Sequence, residues 1–151
     1  MKSLQTFARG GVHPKGNKEL TSRFPIKNGH IPATATIPLT QHIGAPAECV
    51  VAPGDPVKEG MLIGRSRGFV SANIHSPVPG TVKAVTSMFL PQGIQSAAVV
   101  IEFAGEFDKS GKVLVKQPWE ELAARELIDL VADMGVVGLG GATFPTHVKF
   151  S

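Results

Sequence analysis

Between Val50 and Val85 the chain states one short pattern twice. The first statement runs Val50-Val51-Ala52-Pro53-Gly54-Asp55-Pro56-Val57-Lys58-Glu59-Gly60-Met61-Leu62-Ile63-Gly64. The second runs Ile74-His75-Ser76-Pro77-Val78-Pro79-Gly80-Thr81-Val82-Lys83-Ala84-Val85. Each holds an apolar β-prone run, a Pro/Gly turn and a return run. Apolar alternation bounded by Gly and Pro marks short, half-buried strands. The repetition predicts two similar halves of one small β-structure, with Val57, Met61 and Ile63 on one side of the first half.

The rest of the composition agrees with a mainly β chain. Seventeen glycines and twelve prolines among 151 residues suit many short strands joined by tight turns. With 42% hydrophobic and 18% charged residues the chain can fold and bury one core. The formal charge of +3 comes from scattered residues such as Lys2, Arg9, Lys15, Lys18, Arg23, Lys27, Arg65 and Arg67. That is the pattern of a solvated surface, at most a mildly basic face for anionic lipid or an acidic partner. Nucleic acid is not expected as a partner, because no basic stripe is interleaved with aromatic residues and tyrosine is absent.

A single cysteine, Cys49, excludes an internal disulfide and any cysteine-built iron–sulfur or zinc site within this sequence. Beside Val50 and Val51 it reads as a small core residue. The start, Met1-Lys2-Ser3-Leu4-Gln5-Thr6-Phe7, has no apolar signal-peptide region, and no run approaches the roughly 20 apolar residues of a membrane span. Any membrane role is therefore expected to be peripheral. His13, His42 and His75 lack partners at ligand spacing and read as hydrogen-bonded loop residues, so no metal site is expected. Trp119 reads as a packing anchor. Nothing in the sequence fixes a serine hydroxyl against a histidine ring, and no catalytic residue is assigned.

In chain order, Phe7 to Leu20 is loop chemistry, an irregular arm whose Phe7, Val12 and Leu20 are expected to pack. Ile31, Ala33, Ala35 and Ile37 alternate with Pro32, Thr34 and Thr36, which predicts a strand kept to an edge or a strand start by Pro32. Gly64-Arg65-Ser66-Arg67-Gly68-Phe69-Val70 is expected to be an exposed basic hairpin tip. Met88 to Gln95 reads as a loop. Ala97 to Phe103 reads as a strand buried on both faces, and Gly105 to Lys112 as a turn. Pro118 is expected to open the one good helix, with Glu120 and Glu121 in its first turn and Gly135 past its end. Ala123, Leu127, Leu130, Val131 and Met134 would share a face, and Glu121 would pair with Arg125. The helix leads to Gly138-Leu139-Gly140-Gly141-Ala142-Thr143-Phe144-Pro145-Thr146-His147-Val148-Lys149. Glycines at 138, 140 and 141 let a backbone approach phosphate or ribityl oxygens, Pro145 can open a short helix, and Lys149 can act as a point charge. The competing reading is a C-cap and turn after the helix.

Gly54-Asp55-Pro56-Val57-Lys58-Glu59-Gly60 followed by Ser76-Pro77-Val78-Pro79-Gly80-Thr81-Val82 resembles the biotinyl/lipoyl carrier fold, a barrel-sandwich hybrid, over Leu39 to Phe103. No lysine other than Lys58 and Lys83 flanks the interval from Gly60 to Val82, and none lies within it, so the resemblance implies the fold without the swinging-arm chemistry. The glycine-rich loop resembles the one that opens the flavin domain of the NADH-oxidising subunit of respiratory complex I, Gly-Arg-Gly-Gly-Ala-Gly-Phe-Pro-Thr-Gly-x-Lys. Leu139, Thr143 and His147 depart from it. Those departures are similar to the C subunit of the Rnf electron-transport complex, as are Gly10-Gly11-Val12-His13-Pro14 and Pro38-Leu39-Thr40-Gln41-His42-Ile43-Gly44.

That resemblance implies a peripheral subunit on the cytoplasmic face of a bacterial inner membrane, in an ion-translocating oxidoreductase passing electrons between ferredoxin and NAD(H). It implies FMN and two [4Fe–4S] clusters for the full-length protein, other membrane and iron–sulfur subunits as partners, and Gly138, Gly140, Gly141 and Lys149 as cofactor-binding residues. The chain then reads as an N-terminal fragment or a natural truncation. Its parts would be an arm over residues 1–36, a barrel over 37–105, a linker and helix over 106–134, and the start of a flavin/NADH-binding domain over 135–151. Alone it is expected to be inactive, to bind no cofactor, and to act as a structural docking module. The alternatives are the non-catalytic barrel of a protein like the A subunit of the sodium-pumping NADH–quinone reductase, and a stand-alone docking module with no redox role.

Overall fold

A computed structural model describes residues 15–107 and 118–151. The Gly10-to-Pro14 motif and most of the turn expected over Gly105 to Lys112 lie outside the described residues. Contacts divide the chain into two units, Met1–Ile31 and Pro32–Ser151. The described part of the first contains one 3-10 turn, Lys18–Leu20. Leu20, expected to pack, is exposed there.

Among its described residues the second unit holds seven strands: β1 (Thr34–Pro38), β2 (Glu48–Cys49), β3 (Pro56–Val57), β4 (Leu62–Arg65), β5 (Ile74–His75), β6 (Gly80–Phe89) and β7 (Gln95–Phe103). They form a four-stranded sheet in the order β1-β7-β6-β3 and a three-stranded sheet in the order β2-β4-β5, all neighbours antiparallel. The two half-motifs exchange strands rather than folding side by side. β3, from the first half, pairs with β6 of the second, and β4 pairs with β5. Hydrogen bonds outside the ladders close the exchange: Gly54 N–H to Val82 O (2.8 Å), Val82 N–H to Asp55 O (2.9 Å), Gly60 N–H to Ser76 O (2.8 Å) and Ser76 N–H to Met61 O (2.8 Å). Neither half can satisfy its backbone alone, which is why the pattern appears twice. This is the expected barrel-sandwich architecture.

The core collects inward residues from both halves, among them Ile37, Leu39, Val57, Ile63, Ile74, Val82, Val99 and Ile101. β1 is an edge strand, in keeping with its flanking Pro32 and terminal Pro38. Cys49 is half-buried against the core, its Sγ–H donating to Val51 O at 3.2 Å. Met61 is 41% exposed, unlike the buried Val57 and Ile63; it sits in the turn before β4, where alternation has not begun. β6 runs through Met88 and Phe89 and β7 begins at Gln95, so the loop expected from Met88 shrinks to residues 90–94. Ladder pairing down to Phe89 and Gln95 extends both strands. In β7, Ala98, Val99 and Ile101 are buried while Ala97 and Glu102 face solvent, so its outer face is not fully covered.

The helix also differs from expectation. Trp119–Glu121 forms a separate 3-10 turn, and Leu122 and Ala123 are extended. The α-helix, α1, spans Ala124–Asp133. Glu126 decides this start: its carboxylate accepts the Ala123 N–H at 2.8 Å, one half of a capping box, since alanine offers no side-chain acceptor in return. Arg125 accordingly pairs with Asp129 (Nη2 to Oδ1, 3.2 Å) instead of Glu121. Trp119 is half exposed and anchors little. No helix among the described residues is long and apolar enough to cross a membrane.

Candidate functional site

The glycine-rich stretch is a closed loop held at both its base and its flank. α1 stops through a double C-cap. Gly135 N–H donates to Ala132 O (3.0 Å) and Val136 N–H to Val131 O (3.3 Å), the paired bonds of a Schellman motif, with Gly135 at φ 66. A Cβ at Gly135 would run into the backbone carbonyl of Asn73, so only glycine fits this junction. The chain then turns back on itself. Val137 bridges Pro145, Gly138 N–H donates to Phe144 O (3.0 Å), and Thr146 N–H donates to Val136 O (2.9 Å). Within the loop Thr143 N–H donates to Gly140 O (3.1 Å).

Barrel residues touch this loop at two further points. Ile43 N–H donates to Thr143 O at 3.4 Å, and His147 Nε2–H donates to Phe69 O at 3.3 Å. The hairpin tip is exposed and basic as expected, with Arg65, Arg67 and Phe69 open to solvent, while its backbone makes this contact with the loop. Between barrel and loop lies an open cleft of about 300 Å³, with Gln41, Ile43, Gln92 and Ile94 on one wall and Gly141 and Thr143 on the other. His42 is largely buried at the edge of this cleft: Nδ1–H donates to Ile43 O (3.2 Å) and Nε2 accepts from Ala72 N–H (3.2 Å). Both ring nitrogens serve the fold, as the hydrogen-bonding reading of this residue expects. His75 lies in a strand, β5, opposite Leu62, instead of in a loop.

The four residues singled out in the sequence occupy different situations. Gly138 is at the base, its N–H already used. Gly140 and Gly141 are exposed at the tip, outside the positive-φ region, and a Cβ on either would meet nothing within 4 Å. Nothing in this chain requires glycine at these two positions. Lys149 ends the 3-10 turn Thr146–Lys149 and reaches back over the Phe144 ring, Nζ 5.9 Å from its centroid, a cation–π contact that leaves the side chain exposed. Asn73, Ile43 and Phe69, which hold the loop, had no individual signal in the sequence. Gln41-His42-Ile43-Gly44 stood out only as part of a longer resemblance.

Thr143 adopts φ 44. A β-branched residue in the left-handed region is strained by about 1–3 kcal/mol. Thr143→Gly removes that strain at a backbone-entropy cost of about 0.5–1 kcal/mol. The expected result is a net stabilisation of about 1 kcal/mol, read as a rise in Tm of about 2–4 °C. A fall in Tm would mean that the threonine side chain holds the loop.

Gly140 and Gly141 leave main chain exposed at the loop tip, and Lys149 keeps an exposed ammonium in the turn that follows, the residue types that would hold a flavin phosphate. An iron–sulfur cluster does not fit: Cys49 is the only cysteine, it sits in the barrel, and no group of three metal-ligating side chains occurs among the described residues.

Comparison with known proteins adds the family context. The family model described as the RnfC barrel sandwich hybrid domain matches residues 6–106. Over 98% of its length the chain is 42% identical to the C subunit of the proton-translocating ferredoxin:NAD(+) oxidoreductase complex of Clostridium ljungdahlii, covering 32% of that protein. It is 44% identical to the C subunit of the ion-translocating oxidoreductase complex of Rhodobacter capsulatus, over 98% of the chain and 29% of the relative. With the C subunit of the Na(+)-translocating ferredoxin:NAD(+) oxidoreductase complex of Acetobacterium woodii it shares 39% identity, over 95% of the chain and 32% of the relative. The chain spans about a third of the length of these relatives.

Proposed function

We propose, from the premise that this chain belongs to the RnfC barrel sandwich hybrid domain family, that it is the N-terminal part of a peripheral subunit of an ion-translocating oxidoreductase passing electrons between ferredoxin and NAD(H). The names of its relatives, subunits of ferredoxin:NAD(+) oxidoreductase complexes, support this reading. The protein sits on the cytoplasmic face of a bacterial inner membrane, beside membrane and iron–sulfur partners. Within it the barrel is a docking module, and residues 135–151 begin a flavin- and NADH-binding domain. Gly138, Gly140, Gly141 and Lys149 form its lip, with FMN as the hydride-to-electron converter. The two [4Fe–4S] clusters of the full-length protein take their cysteines from other segments.

One observation carries the cofactor reading: Gly140 and Gly141 are glycines that the fold itself does not use. Glycine costs backbone entropy, and neither position needs it for its φ or for space, although Gly140 O accepts the Thr143 N–H; an external group that approaches the main chain would account for the choice. The test is the anaerobic absorption spectrum and intact mass of the native protein that carries this segment. A mass well above 15.9 kDa, with flavin bands and broad iron–sulfur absorption, is expected. A colourless native product that takes up no FMN overturns the redox reading and leaves a docking module alone.

A further inference from the structure

The hairpin tip between β4 and β5 carries one side chain that faces two ways. Asn73 Oδ1 accepts the Ser66 N–H at 2.8 Å, which braces the tip across its own turn. Its Nδ2 donates to the carbonyl of Asp133 at 3.1 Å, 60 residues further along the chain. Only one orientation of the amide satisfies both, with oxygen toward the N–H and nitrogen toward the carbonyl. Asp133 is the last residue of α1. The Schellman bonds already take up Val131 O and Ala132 O, so the barrel supplies the donor for the next carbonyl in line. On the same side, the Asn73 backbone carbonyl abuts Gly135. One barrel residue therefore completes the helix end and sets the closest approach of the chain that leaves it.

What leaves it is the glycine-rich loop. Only Val136 and Val137 separate Gly135 from the base of that loop at Gly138 and Phe144, and the base is pinned by its own hydrogen bonds. A rigid connection this short transmits the position of the helix end to the loop. The other two barrel contacts, Ile43 N–H to Thr143 O at 3.4 Å and His147 Nε2–H to Phe69 O at 3.3 Å, are longer and hold the far side.

We propose that Asn73 is a positioning residue for the glycine-rich loop, acting through the C-terminal end of α1, so that the barrel tip serves as the clamp that aims the loop at its ligand. This rests on the flavin reading of the loop. It differs from that reading in assigning a role to the barrel, and it names a residue that touches neither ligand nor loop tip. Asp at this position keeps an acceptor for Ser66 N–H, loses the donor to Asp133 O and sets a negative charge against the helix C-terminus, so Asn73→Asp breaks the tie to the helix while keeping the brace across the tip. Asn73→Ala removes both.

The experiment uses the full-length protein, depleted of flavin and titrated with FMN. Affinity, the visible circular dichroism of the bound flavin, and Tm are read together. The expected result is an FMN Kd raised at least tenfold in Asn73→Asp and Asn73→Ala, a changed visible dichroism of the residual bound flavin, and a Tm that keeps the protein folded at the assay temperature. Wild-type affinity and dichroism in both variants overturn the clamp while leaving the flavin reading intact. Loss of binding that merely tracks unfolding makes Asn73 a stability residue and also overturns it. Wild-type protein that takes up no FMN at all removes the flavin reading, and the clamp with it.

Discussion

Ile101→Ala is expected to lower the unfolding free energy by about 2–5 kcal/mol, the usual range for truncating a fully buried branched side chain. Ile101 has no exposed surface, lies opposite Ala35 on one neighbour and Val82 on the other, and belongs to the core that both half-motifs share. Domains of this size hold about 5–15 kcal/mol in total, so the substitution removes a large fraction of it. The control is Val85→Ala on the adjacent strand. Val85 lies opposite Val99 yet is 41% exposed, and its truncation is expected to fall within about 0.5 kcal/mol of neutral. Urea unfolding followed by far-ultraviolet circular dichroism measures both. Equal costs at the two positions would contradict the assignment of the inner face of β6 and β7.

The contrast between Ile101 and Val85 also marks the limit of what the sequence discloses. The existence of the barrel is legible because Pro53-Gly54, Glu59-Gly60 and Pro79-Gly80 punctuate short β-prone runs, and that grammar is local. Which residues point inward is less legible. Register shifts between Val82 and Ala84, and between Leu62 and Gly64, reset the alternation partway along a strand. No local pattern announces such a bulge. The helix start failed for a related reason. Pro118 and two glutamates look like an N-terminus, and they do begin a turn, but the capping carboxylate belongs to Glu126. Two equivalent start signals lie within one stretch, and tertiary context selects between them.

The site divides in the same way. The glycine-rich loop is visible as a string of residues. Its closure through Gly138 N–H and Phe144 O follows from the turn residues it contains. The barrel side of the site is not visible. Asn73 and Asp133 meet across 60 positions through a single amide, which leaves no periodicity or composition to detect. The same holds for Phe69 and His147. Thr143 is a partial exception: the resembling complex I loop has glycine at that place, and the structure gives Thr143 the left-handed conformation that glycine adopts without strain.

Gly141→Val in the full-length protein is expected to leave stability within about 0.5 kcal/mol of wild type while raising the FMN Kd about 100-fold. The two halves of that expectation come from one geometric fact. A Cβ at Gly141 would meet nothing within 4 Å beyond its chain neighbours, and the backbone there is not in the left-handed region. The fold is therefore expected to accept valine, whose branch would point into open space at the exposed loop tip. A ligand that uses the main chain of the loop does not, because a branched side chain holds it a few ångströms away from the N–H groups. A 100-fold loss corresponds to about 2.8 kcal/mol, the scale of one or two charge-assisted hydrogen bonds. Gly135→Val supplies the opposite signature. Its side chain would enter the Asn73 carbonyl and require a strained φ, so it should lower Tm as well as flavin affinity. Isothermal titration with FMN alongside a thermal melt separates the cases. Unchanged FMN affinity in a stable Gly141→Val protein would show that the open glycines serve no ligand, and the loop would then be a turn that follows a helix.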